Sequence, residues 1–379
     1  MVQYSNFSID YKLSKGRIFN EKDDPNRTCF MRDRDRIIHS SAFRRLKYKT
    51  QVFVHHEEDY FRTRLSHSLE VSQLSRSISK IFNINDDLTE SISLSHDLGH
   101  TPFGHAGEEV LNKKMKGKGG FNHNYQALKI LTVLEKKYLD FDGLNLTFET
   151  LDGILKHNGP ITSVLPSYIK SFIDFFDGET KSQGSFEAQV AAICDDIAYN
   201  NNDIDDGLYA GLFEIDELNE LEIIKDALKK INFKKNKEYR RIKYELIRKL
   251  INIMVDDLIS NTKQNIQNFK IKNCYEILEL DKPLVIFGDE MKNKEKNLKV
   301  FLKNKMYNHP KVKTMNFKAK KIVSDLFDLY IDEPYLLPTG WRNFKNENEK
   351  YVNVSDYISG MTDNYAINIH KKYFDLYSH

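Results

Sequence analysis

The sequence predicts an all-α protein of 379 residues. Apolar residues recur at helical spacing almost throughout the chain, and no stretch of several residues alternates apolar and polar side chains as a half-buried strand does. With 40% hydrophobic residues the chain can bury a large core, in one big domain or in two that are closely joined. The one β element that we expect is a short hairpin near residues 50–60.

The apolar spacing predicts six long helices. They are Leu65–Phe82, Leu88–Leu98, Asn124–Lys136, Phe186–Tyr199, Tyr239–Ser260 and Phe317–Tyr330. Breaks are expected at residues 117–120, 157–160 and 200–203, where Gly, Pro or Asn interrupts the pattern. A change in composition near residue 215 separates a motif-rich part from a Lys-rich helical remainder.

Composition favours a soluble, cytoplasmic protein. The longest apolar runs fall well short of the ~20 residues that span a bilayer, and the first ten residues lack the order of a signal peptide. Cys29, Cys194 and Cys274 lie far apart, with no CxxC pair, so neither a zinc knuckle nor a disulfide framework is expected.

The net charge of +2 hides a basic stretch at residues 225–249, which carries eleven Lys or Arg residues against three acidic ones. Such a stretch attracts polyanions, including single-stranded nucleic acid. A solvated helix face explains the same charges equally well.

The segment HDLGHTPFGHAGE at residues 96–108 is the strongest functional signal. His96 follows Ile92 and Leu88 by one and two helical turns, which directs its ring inward, and Asp97 comes next. His67 shares an apolar stripe with Val71 on the preceding helix. A buried carboxylate is costly unless a cation or hydrogen bonds satisfy it.

A third helix contributes Asp195, which lies on one stripe with Ala188 and Tyr199. A single buried histidine is also typical of a hydrogen-bonded core residue. The joint occurrence of two histidines and two aspartates instead predicts a divalent cation site, and mixed nitrogen and carboxylate ligands favour Mn, Fe, Co or Zn over Mg alone.

Five motifs in order resemble those of the bacterial dGTPase-like branch of the HD-domain metal-dependent phosphohydrolases. They are RRLKYKTQVF, RTRLSHSLEV, SHDLGHTPFGHAGE, FNHN and DDIAYNNNDIDDGL. The resemblance implies an HD-domain helical bundle that hydrolyses deoxynucleoside triphosphates (dNTPs) to deoxynucleoside and inorganic triphosphate, with a Mn, Mg, Fe, Co or Zn cofactor. It divides the chain into an N-terminal region with a substrate loop (1–60), a catalytic core (61–214) and a C-terminal helical region (215–379).

The resemblance also implies residue roles. The metal ligands would be His67, His96, Asp97 and Asp195, the catalytic pair His105 and Glu108, and the substrate-binding residues Gln51, Arg64, His100, Asn124, Lys156, Tyr199 and Asp203. Of the substrate-binding residues, the ones that would contact the phosphates are His100, Asn124 and Lys156. Gln51 and Asp203 would contact the 3′-hydroxyl, Arg64 would contact the base and phosphates, and Tyr199 would contact the deoxyribose. Asn202 stands where many relatives have His, which puts substrate preference or pH dependence in question.

The spacing of His105 and Glu108, three residues apart at the start of a helix, lets the carboxylate orient the imidazole for proton transfer. For Glu108, pairing with the helix dipole is the structural alternative. His55 and His56 are expected at the surface.

Two other functions stay open. One is a different HD-domain nucleotide phosphohydrolase, and the other is a nucleotide-binding or single-strand nucleic-acid-binding protein with a structural HD site. The resemblance further implies a homo-oligomer, a hexamer in many relatives, and activation by a bound dNTP.

Overall fold

The computed structural model describes residues 4–53, 60–162, 165–231 and 238–376. Its α-helices are α1 Cys29–Ile38, α2 Ser41–Arg45, α3 Arg64–Phe82, α4 Asp86–Ser95, α5 His105–Lys114, α6 His123–Lys129, α7 Phe148–Leu155, α8 Ser167–Phe175, α9 Phe186–Tyr209, α10 Ile215–Leu218, α11 Glu222–Lys229, α12 Tyr239–Asn268, α13 Cys274–Leu278, α14 Asp289–Leu302, α15 Pro310–Asp332, α16 Glu347–Ser359 and α17 Asp363–Phe374. No β-sheet forms among the described residues, and the all-α prediction is confirmed.

All six predicted helices are present, with shifted ends. The expected hairpin near residues 50–60 is reduced, in the described part, to a single antiparallel bridge between Thr50 and Thr63. Residues 54–59, which include His55 and His56, lie outside the described residues.

The predicted break at residues 200–203 is wrong, because α9 runs unbroken to Tyr209. Asn and Asp side chains usually interrupt helices by competing for backbone hydrogen bonds. Here Asn201 donates to the Ile197 carbonyl one turn back (2.7 Å) without ending the helix, and the other three side chains have partners elsewhere. Asn200 donates to Glu295 (3.1 Å), Asn202 contacts His67, and Asp203 accepts from Tyr307.

Helix α9 is the centre of the fold because it has two apolar faces. Ala188 and Ala191 face a core built with α1, α4, α7 and α8. Val190 and Ile197 face a second core built with α3, α11, α12 and α14. A third core joins α5 to α15, α16 and α17. The second core therefore crosses residue 215, and the predicted three-part division of the chain stays a prediction.

Helices α3 and α4 present the site residues against α9. Thr63 caps α3 in a reciprocal arrangement with Ser66, and Asn83 ends the helix in the left-handed conformation, with φ of 52°. These caps fix the register in which His67 points inward. None of the described helices combines the length and apolar character required to cross a membrane.

Candidate active site

The predicted metal ligands meet between α3, α4 and α9. His67, His96 and Asp97 each offer a ligand atom, and these atoms lie within 4.8 Å of one another. Asp195 Oδ1 is 2.7 Å from His67 Nε2 and 3.6 Å from His96 Nε2. The first three residues are buried, whereas the Asp195 side chain is 27% exposed. We call these four residues the candidate metal cluster.

Two atoms of this cluster are buried without a hydrogen-bond partner, namely His96 Nε2 and Asp97 Oδ2. His96 Nδ1 lies 2.6 Å from the carbonyl oxygen of Ser93, which can only accept, so Nδ1 carries a proton and Nε2 is the ring nitrogen left to bind a cation. An unsatisfied buried polar atom costs about 1–3 kcal/mol. A divalent cation would satisfy both atoms, and the nitrogen and oxygen donors suit one. The residues present therefore fit a bound metal ion.

Charges around the cluster hold its aspartates in the ionised form. Burial alone would raise the pKa of Asp97, but Arg64, whose guanidinium donates to Asp97 Oδ1 at 2.8 Å, and the neighbouring histidines hold that pKa well below its usual range. The pKa of Asp195 is likewise lowered, against burial, by His96, His157 and His67. The cluster thus has the carboxylates that a cation requires.

A second group of side chains adjoins the first. Asp97 Oδ1 lies 3.1 Å from His100 Nε2, and the His100 ring stacks on that of His123 with 4.1 Å between centroids. Burial and the nearby Arg64 lower the pKa of His100 far below its usual value, so its ring is neutral at neutral pH.

Glu108 connects this group to His105. Its carboxylate accepts from the backbone N–H of His123 (3.0 Å) and lies 2.8 Å from His123 Nδ1, while His105 Nδ1 is 3.5 Å from Oε2. Burial would raise the pKa of Glu108, but the hydrogen bonds of His105 and His123 lower it well below its usual value. His105 is 66% exposed, so it presents the open side of this histidine–glutamate cluster (His100, His105, Glu108 and His123).

Gln51 and Asn202 both border a predicted metal ligand. Gln51 Nε2 lies 3.2 Å and Asn202 Nδ2 3.3 Å from His67 Nδ1. Gln51 Oε1 is buried without a partner. Turning both amides over would direct the Gln51 and Asn202 side-chain oxygens toward Nδ1–H and leave His67 Nε2 free as a ligand.

Arg64 and Gly104 are packed against each other. Gly104 has φ of +56°, and a Cβ at this position would lie 2.7 Å from Arg64 Nη2. Glycine is therefore required here both for the backbone conformation and for the approach of the guanidinium. Arg64 is buried against Asp97.

Tyr199 and Asp203 lie one turn apart on α9. The Tyr199 ring meets the His67 ring edge-on, with 6.2 Å between centroids. Asp203 is buried and accepts a hydrogen bond from the hydroxyl of Tyr307. Burial, the largest influence, together with the charge of Asp206 raises the pKa of Asp203 to about 8.

The two remaining predicted residues differ in their surroundings. Asn124 is buried in the first turn of α6. Lys156 Nζ donates to Ser182 Oγ (2.7 Å) and pairs with Asp152 (3.0 Å). The ammonium group of Lys156 is thus engaged within the protein.

Three residues at the site escaped sequence reasoning. His123 belongs to the FNHN motif, where Asn124 drew attention instead. His157 adjoins Lys156, and its ring stacks on His96 at 5.1 Å while Nε2 lies 3.2 Å from Asp195. The rarity of histidine, twelve in the chain, was the available signal for both. Tyr307 carries no motif and is brought to Asp203 only by the fold.

Comparison with known proteins agrees with this geometry. The HD domain family matches residues 64–200, and the phosphohydrolase-associated domain matches residues 285–372. A deoxyguanosinetriphosphate triphosphohydrolase-like protein of Parvibaculum lavamentivorans is 47% identical, with 96% of this chain and 94% of the relative covered. Proteins of the same name are 46% identical in Caulobacter sp. (98% and 96% covered) and, as protein 1, 44% identical in Mesorhizobium japonicum (97% and 94% covered). The chain therefore belongs to the family of deoxyguanosinetriphosphate triphosphohydrolase-like proteins and is an HD-domain phosphohydrolase.

Proposed function

We propose that this protein hydrolyses dNTPs, either dGTP or several dNTPs, to deoxynucleoside and inorganic triphosphate, and so lowers or balances dNTP pools. The observation that carries the proposal is the contact between two clusters of different chemistry. Asp97 belongs to the candidate metal cluster, and 3.1 Å away His100 begins the histidine–glutamate cluster. The names of the relatives supply the substrate class.

His67, His96, Asp97 and Asp195 would hold the divalent cation, whether Mn, Mg, Fe, Co or Zn. When bound, the cation supplies charge that polarises the phosphoryl oxygen. Arg64 fixes the orientation of Asp97 through its 2.8 Å hydrogen bond and adds positive charge beside the phosphates.

Proton transfer is assigned to His105, because its ring is the exposed member of the histidine–glutamate cluster. Glu108 accepts from His123 and faces His105, so its carboxylate can stabilise the imidazolium form of His105. His105 would exchange a proton with the attacking water or with the departing 5′-oxygen at the α-phosphorus.

Selection of the sugar is assigned to Gln51, Tyr199 and Asp203. The Tyr199 ring would pack against C2′ and leave no room for a ribose hydroxyl, while Asp203 and Gln51 would bond the 3′-hydroxyl. His100 and Asn124 are assigned to the phosphates. Lys156 would join them only after exchanging its partners Asp152 and Ser182.

The test is product analysis. Metal-stripped protein is incubated with each dNTP plus Mg, Mn or Co, and the products are resolved chromatographically. Deoxynucleoside plus triphosphate is expected. Monophosphate plus pyrophosphate would overturn the proposal, and release of orthophosphate would instead favour another HD-domain phosphohydrolase.

Partners implied by the resemblance can be tested separately. Sedimentation would test the homo-oligomer, and strictly hyperbolic kinetics for every dNTP, alone and mixed, would count against an activating dNTP. Salt-dependent binding of single strands without dNTP turnover would favour a nucleic-acid-binding role. Within the described part of the basic stretch, Arg241 pairs with Glu238, and Arg248 and Lys249 pair with Glu245.

A further inference from the structure

A buried carboxylate near the end of the chain joins two loops of the candidate active site. Asp363 is the first residue of α17 and is fully buried. Its Oδ2 accepts from the backbone N–H of Thr50 (2.9 Å) and from the Thr50 hydroxyl, and its Oδ1 accepts from the backbone N–H of Phe103 (2.8 Å). One side chain thus bonds to both Thr50 and Phe103, which are 53 positions apart in the sequence.

Both loops carry residues of the proposed reaction. Thr50 immediately precedes Gln51, whose amide contacts His67. Phe103 lies between His100 and His105 and has φ of +61°, a left-handed conformation that a non-glycine residue adopts only when its surroundings enforce it. The hydrogen bond from Phe103 N–H to Asp363 is one such constraint.

A second buried group makes a parallel connection. Lys49 Nζ donates to the carbonyl oxygen of His100 and to that of Ser359 (2.8 Å). The Ser359 hydroxyl in turn accepts from Gln126 Nε2 (3.0 Å), on the helix that begins at His123. The segment from Ser359 to Asp363 therefore contacts, directly or through one residue, three stretches of the candidate active site.

We infer that Asp363 is a positioning residue that fixes the Gln51 loop and the His100–His105 loop relative to each other for dNTP hydrolysis. The inference rests on the proposed function. It also gives a physical role to the phosphohydrolase-associated region, since residues 285–372 include both Ser359 and Asp363. A carboxylate that only stabilised the fold would affect the amount of folded protein and not the turnover of each folded molecule.

The matched control is Asp33. Its Oδ2 accepts from the backbone N–H (3.0 Å) and hydroxyl (2.6 Å) of Thr147, as Asp363 does with Thr50, and it is also buried. Asp33 additionally pairs with Arg17 at 2.5 Å. Neither Asp33 nor these partners belong to the candidate active site.

The experiment compares Asp363→Asn, Thr50→Val and Asp33→Asn in the full chain. Asparagine replaces one acceptor oxygen by a donor that faces other donors, so Asp363→Asn should lower kcat by about 10- to 100-fold per folded molecule. Thr50→Val, which removes only the hydroxyl, should lower kcat less, and the double variant should lose no more than Asp363→Asn alone. Asp33→Asn should lower the melting temperature but keep kcat.

Hydrogen exchange gives a readout that does not depend on turnover. Asparagine keeps one acceptor oxygen, so in Asp363→Asn the amide that faces the new NH₂ group, Thr50 or Phe103, should lose protection, whereas both should keep it in Asp33→Asn. Parental kcat and KM in Asp363→Asn, or a loss matched by Asp33→Asn, would overturn the inference. If Asp363→Asn does not fold, parental kcat in Thr50→Val overturns it.

Failure of the proposed function is distinguishable from failure of the inference. A parent protein that releases no triphosphate from any dNTP with any metal contradicts the proposed function. In that event unchanged protection of Thr50 and Phe103 also overturns the connection made by Asp363, whereas lost protection supports it.

Discussion

Replacing Asp203 by Asn should change how the stability of this protein depends on pH. Asp203 is buried in α9, and burial raises the pKa of its carboxyl to about 8 in the folded protein, whereas an exposed Asp in the unfolded chain titrates near 3.8. Between these values the folded protein keeps the proton that the unfolded chain releases. The unfolded state then binds fewer protons, so the free energy of unfolding falls as pH rises.

The size of the effect follows from proton linkage. One proton released on unfolding lowers the free energy of unfolding by about 1.4 kcal/mol for each pH unit, or about 2.7 kcal/mol between pH 5 and pH 7. The stabilisation of the folded state by the proton on Asp203 is fully present below pH 4, and it is lost as pH rises through the folded pKa near 8. Asn cannot ionise, yet its amide oxygen still accepts from the Tyr307 hydroxyl.

The assay is urea denaturation of parent and Asp203→Asn at half-unit steps from pH 5 to pH 7. The difference between the free energy of unfolding of the variant and that of the parent should increase as pH rises. The control is Asp256→Asn, at an exposed position of α12, which should keep the parental pH slope. A difference between parent and Asp203→Asn that stays flat over this interval would refute the assignment of a protonated Asp203.

Three further predictions address the proposed reaction. His105→Ala should lower kcat by about 10²- to 10⁴-fold and leave the metal-dependent melting shift intact, because the ring is proposed to transfer protons and not to bind the metal. A loss below tenfold would exclude His105 from catalysis. Tyr199→Ala should raise turnover of GTP relative to dGTP, and unchanged discrimination would contradict steric exclusion. Adding Mn at about 100 times its Kd to stripped protein should stabilise the fold by about 2.7 kcal/mol. His67→Ala, which removes a proposed ligand, should reduce that stabilisation, and an equal stabilisation would exclude His67 from the metal site.

Helices were predictable because their signal is local. The stripe of His67, Val71, Leu74 and Ile78 on α3 repeats at the helical period, and all four side chains are buried. Helix ends were less predictable, since they depend on distant partners. The Asn and Asp residues at 200–203 predict a break in the helix. In the structure, contacts of this run with Glu295, His67 and Tyr307, which are distant in the sequence, allow the helix to continue.

The same distinction separates the predicted from the missed residues of the candidate active site. His96 and Asp97 adjoin each other in a motif, and Asp195 lies on a helical stripe, so short-range spacing suggests their convergence. Tyr307 and Asp363 reach the site from sequence separations of more than a hundred residues, with no motif around either. Sequence reasoning had no local pattern from which to find them.

The C-terminal region, where the motifs are weakest, is nevertheless joined to the site through packing as well as hydrogen bonds. Phe103 and Leu111, from the segment that carries His105 and Glu108, are buried with Val323, Leu326 and Tyr330 of α15. Removing that contact would expose apolar side chains on both elements and release the loop whose strained residue Phe103 needs support. The position of His105 and Glu108, the residues proposed for proton transfer, therefore depends on helices that contribute no predicted catalytic group. Variants in α15 that weaken this packing should slow turnover without touching the nucleotide.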